Sequence, residues 1–329
     1  MGNIQLLLPP LQSGGVYDFA RQLHQAIGPG RSTLVHLAKE DAHGWQVEPT
    51  DVVFLQLSGY GFQKRGAPLW LLRALKSRRK NISTLVTFFH ELYAFGPPWR
   101  SSFWLSPLQR FVSCEIAKLS DCWITSREQS ATWLLDCAGD KPHECLPVFS
   151  TIGELEFLPA KKQRRIVVFG SVGQRQEAYR RAGERLFRWV KRHGLEIHDV
   201  GSPITDEHVS ATLRSFGAQL HGRLDELSAR SILADSAYGL VSYPTAYVAK
   251  SSIFAAYCAH AVVPILLSKQ YSLYDDLAPG REYLAGIPAD DENDAHEAVR
   301  QAAWLWYQPH SIQRHVRYLS EIILSNNNK

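Results

Sequence analysis

Runs of four to seven mostly apolar residues recur along the first half of the chain, at 4–8, 32–37, 51–57, 83–89 and 122–125. Between them the apolar residues take helical spacing. Val16, Phe19, Ala20, Leu23 and Ile27 form one such set, and Leu69, Leu72 and Leu75 another; segments 107–119 and 126–138 follow, the last with Ser126 as its predicted cap. An unbroken apolar run bounded by turn residues marks a strand buried on both faces. Its alternation with helices predicts a doubly wound parallel sheet.

The pattern relaxes near 147–159 and gives way to the charged stretch 161–165, which predicts a linker. It restarts with a strand at 165–171 and a long basic helix at 175–193. Strands at 195–200 and 219–222 and a helix at 225–234 come next. Helices at 291–307 and 311–324 close the chain, the last with Ile312, Val316, Leu319 and Ile323 on one face. The expectation is an α/β protein of two Rossmann-like domains, 1–155 and 160–308, with 309–329 as a final helix crossing back to the first.

Segment 238–267 is the most informative. An apolar strand stops at Tyr243-Pro244, an Ala-rich helix follows Lys250-Ser251-Ser252, and a second apolar strand ends at Leu267. In open α/β sheets ligands sit beyond the carboxyl ends of the strands. A helix N-terminus there presents unpaired N–H groups and a partial positive charge; Lys250 adds a full one. That suits a phosphate, or else one serine merely caps the helix and Lys250 is solvated. Other glycine turns stand at predicted strand ends: Ser13-Gly14-Gly15, Gly59-Tyr60-Gly61, and Gly170-Ser171-Val172-Gly173. With the carboxyl edges of both sheets turned toward one another, these turns would line one crevice.

Composition narrows the classes. The net charge is +4, which suits anionic small molecules or a membrane surface and is too weak to argue for nucleic acid. Five cysteines with no CxxC pair predict reduced thiols in a cytoplasmic protein. No signal peptide is expected, and no apolar run approaches the roughly 20 residues of a membrane span. There is no GxGxxG, no Walker A sequence and no DxD triplet.

The Ser13-Gly14-Gly15 turn before a long helix, the strand ending in His90, the Phe169-Gly170-Ser171 restart, Gly222-Arg223-Leu224 before Leu233-Ala234-Asp235, and the 238–267 unit fall in the order seen in GT-B glycosyltransferases. They resemble most the glycosyltransferase group 1 (family 4-like) enzymes. The resemblance implies a GT-B fold, with a carboxyl-terminal domain binding a nucleotide-sugar and an amino-terminal domain binding the acceptor. The chain departs from the family at one point. The two glutamates usual there, eight positions apart, align with Val248 and Ala256, and no acidic residue lies between Ala237 and Leu267. This leaves open retention or inversion, a non-catalytic relative, or another nucleotide-sugar enzyme such as an epimerase or phosphorylase.

A transferase of this kind needs positive groups at the leaving diphosphate and an acceptor held in line. The candidate donor-binding residues are Gly14, Gly15, Gly170, Ser171, Arg175, Tyr243, Lys250, Ser251 and Ser252, with Arg223 a weaker one. Glu91 is the candidate base, and His90 either its partner or a donor-sugar contact. Tyr60, Tyr93, Trp99, Arg100 and Trp104 are candidates for a glycan or lipid-linked acceptor. No metal or other cofactor is expected. Trp70 with Lys76, Arg78, Arg79 and Lys80 reads either as an interfacial anchor for an anionic membrane or as a buried stripe with a solvated basic end.

Overall fold

The computed structural model describes residues 3–49, 51–94, 99, 101–160, 162–289 and 293–327. The chain divides into two compact units, Met1–Pro147 with Ile312–Lys329, and Val148–Ser311.

The first unit begins β1 (Ile4–Leu8), α1 (Gly15–Ile27), β2 (Ser32–His36), β3 (Val52–Leu57), the single turn α2 (Gly59–Phe62) and α3 (Leu69–Arg78). It continues with β4 (Thr84–Phe89), α4 (Ser101–Leu119), β5 (Cys122–Thr125), α5 (Glu128–Ala138) and β6 (His143–Cys145). All six strands are parallel, in the order β2-β1-β3-β4-β5-β6. Every residue of β1, β3, β4 and β5 is buried, as helices on both faces require. The order reverses at β1, so the switch point lies between β1 and β3, where α1 and the α2 turn begin.

Helix α4 starts at Ser101, not at Pro107 as expected. Proline is commonest at a first helical position. Here it sits inside the helix, where it removes one N–H donor but leaves φ helical. Helix α5 starts at Glu128, and its cap residue Arg127 makes no side-chain cap bond; Ser126 is not the cap.

The second unit holds β7 (Gln163–Phe169), α6 (Val172–Arg192), β8 (Glu196–Val200), α7 (Glu207–Ser215), β9 (Gln219–Gly222) and α8 (Glu226–Asp235). β10 (Ser236–Ser242), α9 (Ser252–Ala259), β11 (Val263–Leu267), the short β12 (Leu284–Ala285) and α10 (Asn293–Tyr307) complete it. Its parallel order is β12-β11-β10-β7-β8-β9, which puts the switch point between β7 and β10. The long basic helix is broken at Gly183, whose φ of 54° and ψ of −151° are not helical.

Segment 148–155, expected at the end of the first domain, belongs to the second unit. The Val148 N–H donates to Ala249 O at 3.0 Å and the Leu155 N–H to Ala259 O at 3.2 Å, so the segment lies along α9. The last helix, α11 (Ile312–Asn327), belongs to the first unit and packs on α1. Leu319, Ile322 and Ile323 are buried there. Burying each contributes about 1.5–3 kcal/mol.

Candidate functional site

At the second unit's switch point two loops touch. Gly170 ends β7 with φ +128°, and a Cβ there would lie 2.4 Å from Ile253 Cδ1 in the first turn of α9. The positive φ, more than the contact with the flexible end of Ile253, is what favours glycine there. Tyr257 fixes α9 from below. Its ring occupies the space over Gly239, where a Cβ would come within 2.7 Å of it, and its hydroxyl donates to Leu240 O at 3.0 Å. The same hydroxyl lies 3.3 Å from both Val167 O and Phe169 N, so it accepts from Phe169 N–H and bridges β7 to β10.

Two helix N-termini therefore open at one place. Ser171 Oγ caps α6 by accepting from Gln174 N–H, and a Cβ on Gly173 would point into open space. Ser251 caps α9, accepting from Phe254 N–H at 3.2 Å, and is buried. Its hydroxyl is thereby engaged. Ser252 and Lys250, both half-buried, flank it, with Lys250 Nζ 5.9 Å from the Tyr247 ring centre. The first-turn amides of both helices have no acceptor within their helices. Tyr243 ends β10, and its N–H donates to Leu267 O at 3.1 Å. Thr245 Oγ1 donates to Gln270 O at 3.0 Å, tying the loop after β10 to the loop after β11.

Arg175 does not join this group, which corrects its expected role as a diphosphate ligand. Its side chain is 0% exposed and pairs with Asp199. Its other nitrogens donate to Gly170 O at 3.0 Å and to Ser202 O. Tyr179 completes the network, its hydroxyl donating to Asp199 Oδ2 at 2.9 Å. Burial beside that carboxylate drives the Tyr179 phenol well above its ordinary range. The guanidinium is spent on holding the β7 and β8 loops together. Arg223 is exposed after β9, and its Nε donates to Ser202 Oγ at 2.6 Å.

In the first unit, Gly14 (φ +96°) and Gly15 open α1, and a Cβ on either would point into open space. His90 follows β4. Its ring lies 4.4 Å from Phe88 and 5.0 Å, edge-on, from Phe19 of α1. His90 Nε2 is 2.9 Å from Gln56 Oε1. With the amide oxygen accepting, Nε2 is the donor in this contact. Glu91 is exposed, and its Oε2 accepts from Ser58 Oγ at 3.1 Å. Gln56 of β3, Ser58 after it and Phe19 of α1 thus meet at His90 and Glu91. His315 of α11 lies behind them, 5.6 Å from Phe19 and 6.0 Å from Phe88, with its Nε2 donating to Pro147 O at 3.1 Å. No spacing in the sequence pointed to it.

The aromatic candidates separate. Tyr60 is exposed, and its hydroxyl accepts from Gln109 Nε2 at 3.1 Å. Tyr93 is not presented openly: it packs between Trp133 at 5.0 Å and the Arg110 guanidinium at 4.2 Å. Trp99 and Trp104 are 84% and 71% exposed. Arg100 lies outside the described residues. Among the described residues no three His, Cys, Asp or Glu side chains gather as a metal site, and no described helix is long and apolar enough to cross a membrane.

No protein-family model matches the sequence, and no curated protein matches it. Solved structures do. Anabaena Alr3699/HepE, in complex with UDP-glucose, superposes with a TM-score of 0.60 at 10% identity over 98% of this chain and 99% of that one. AviGT4, a glycosyltransferase involved in avilamycin A biosynthesis, gives 0.53 at 10% identity over 99% of each chain. The pneumococcal O-GlcNAc transferase GtfA, in complex with UDP and GlcNAc, gives 0.57 at 10% identity over 88% of this chain; this chain covers 60% of GtfA's length. At these identities the likeness is one of fold. Two parallel six-stranded Rossmann-like units in this arrangement of elements make the fold that of the GT-B glycosyltransferases.

Proposed function

We propose that this protein is a metal-independent glycosyltransferase that moves a sugar from a nucleotide-sugar to a hydroxyl of a glycan, glycolipid or similar acceptor. One observation carries the reading: Gly170 lies against the first turn of α9, so the N-termini of α6 and α9 open together beside Lys250. That arrangement offers amides, helix dipoles and one cation to a diphosphate. These groups can carry the leaving-group charge without a metal. UDP is the first nucleotide to try, because the HepE and GtfA structures hold UDP-glucose or UDP.

In the first unit, Glu91 is the candidate base and His90 the candidate sugar contact, held by Gln56 and Phe88. The absence of acidic residues from 238–267 favours a second reading, a GT-B-like protein that binds a nucleotide without transferring sugar. Val248 and Ala256 are buried, so a carboxylate at either aligned position would enter the core. None of the five cysteines forms a disulfide, and reduced thiols suit a cytoplasmic site of action.

Thermal shift with nucleosides, nucleoside diphosphates and nucleotide-sugars tests the proposal. The expected result is stabilisation by a diphosphate well beyond that of its nucleoside, unchanged by a chelator. No stabilisation by any diphosphate would overturn it.

A further inference from the structure

Helix α4 carries an apolar ridge on its outside. Phe103, Trp104, Pro107, Leu108 and Phe111 are all exposed, and at 3.6 residues per turn they share one face. Gln109, Val112, Ser113 and Ile116, on the opposite face, are buried. Trp99 stands exposed just before the helix, and Phe103 meets Trp104 edge-on at 5.3 Å. A contiguous patch of large exposed aromatics marks an interaction surface.

Charge surrounds the ridge. Residues 64–118 contain ten Lys and Arg against two Glu, whereas the rest of the chain holds 26 against 30. Arg78 and Arg79 are turned to internal partners, Trp45 O and Asp121 among them. Lys64, Arg65, Arg73, Lys76 and Arg110 are exposed. The 64–65 loop adjoins α4, because Gln109 Nε2 donates to Arg65 O at 2.9 Å. Lys76 brings the outer side of α3 alongside, pairing with Glu115 of α4 at 2.7 Å. Trp70, by contrast, is half-buried and packs edge-on against Phe62 at 6.0 Å, so α3 supplies charge and α4 the apolar contact.

We infer that the outer face of α4, with the basic side of α3 and the 64–65 loop, docks the protein on an anionic lipid bilayer. Aromatic and aliphatic side chains seat at the headgroup boundary, and flanking Lys and Arg are drawn to acidic headgroups. The charge argues against a second copy of this chain: an isologous contact would set this basic surface against itself. The ridge argues against nucleic acid, whose backbone is met by polar and basic groups. The residues that follow Glu91 lie against the inner face of α4: Leu92 O accepts from Ser113 Oγ at 2.7 Å, and Ala94 N–H donates to Gln109 Oε1 at 2.7 Å. Resting on the transferase reading, this placement further assigns the acceptor to an amphiphile presented from the membrane. The docking itself does not depend on that reading.

The test is co-sedimentation of the full chain with vesicles of phosphatidylcholine, alone or with part replaced by phosphatidylglycerol. Binding should appear with the acidic lipid, weaken as salt rises, and be lost in Phe103→Ser/Phe111→Ser and in Lys64→Glu/Arg73→Glu. Both pairs are exposed, so melting should stay at the parent value. Nucleoside-diphosphate binding, measured on the same samples, should persist in both, which separates a failure of docking from a failure of the transferase proposal. Absence of binding to acidic vesicles would overturn the inference. So would binding that neither pair changes, a parent dimer that Phe103→Ser/Phe111→Ser makes monomeric, or binding to a duplex oligonucleotide in place of vesicles.

Discussion

Arg175 and Asp199 form an ion pair sealed inside the second unit, with side-chain exposures of 0% and 4%. The pair joins the β7 and β8 loops: Arg175 also donates to Gly170 O and Ser202 O. Gly201 must be glycine beside it, since a Cβ there would lie 2.6 Å from Arg175 Nε, at a φ of +150°. The loop after β7 is therefore shaped by a buried charge whose guanidinium is engaged within the unit.

Arg175→Met should remove one half of that pair and strand Asp199 in the core. Breaking a buried pair from one side costs about 3–5 kcal/mol. For a domain of this size that is a fall in melting temperature of about 6–20 °C. Arg175→Lys should recover only part of it, because an ammonium lacks the planar fork that serves three acceptors. A variant that melts like the parent but loses diphosphate affinity would make Arg175 a ligand after all.

Glu91→Gln keeps the shape and removes the carboxylate that accepts from Ser58. If Glu91 is the base, turnover should fall by roughly 10²–10⁴ with donor affinity retained. Unchanged turnover would end the base assignment. His90→Ala should then weaken donor affinity, the sign of a sugar contact.

Lys250→Ala should weaken nucleoside-diphosphate binding by roughly tenfold or more, since a hydrogen bond to a charged group is worth roughly 1.5–3 kcal/mol. The bare nucleoside should lose less. Ser251→Ala should act through the helix cap, lowering stability by about 1 kcal/mol beside any loss of affinity. Calorimetry with both ligands on both variants decides. Equal losses for nucleoside and diphosphate at Lys250→Ala would remove Lys250 from the phosphate site.

Acid should destabilise the second unit. Burial pushes His260 and His310 down from 6.5 to about 4 in each case. Between those values the unfolded chain binds more protons than the folded one, so stability rises with pH. It is intact above pH 6.5 and is lost as pH falls toward 4. Each group can contribute up to about 3 kcal/mol of that loss. Melting followed from pH 7 to 4.5 should therefore slope downward, and less steeply in His260→Phe. Equal slopes for the parent and His260→Phe would exclude His260 as a source.

Much of the architecture was legible because buried parallel strands need unbroken apolar runs, and 51–57 or 83–89 could be little else. Strands β6 and β12 were not, since His143-Glu144-Cys145 and Leu284-Ala285 have no such run and depend on a neighbouring edge. The glycine turns and Lys250-Ser251-Ser252 were visible as local motifs. Arg175 read as a donor-binding candidate at the start of a basic helix, because nothing local ties it to Asp199, 24 residues on. Nothing local marks Tyr257 in its Ala-rich helix; its role depends on Gly239 across the sheet. The exposed ridge of α4 was obscured because Pro107 placed the helix start too late.

The central claim is transfer from a nucleotide-sugar, and the most direct measurement is nucleoside-diphosphate release when the full chain is incubated with a panel of nucleotide-sugars in the presence of EDTA. The account predicts release from at least one donor, insensitive to the chelator, accelerated by vesicles bearing a lipid-linked acceptor and strongly reduced in Lys250→Ala. Diphosphate binding without release from any donor, with or without acceptor, would contradict it and leave a nucleotide-binding protein on a glycosyltransferase fold.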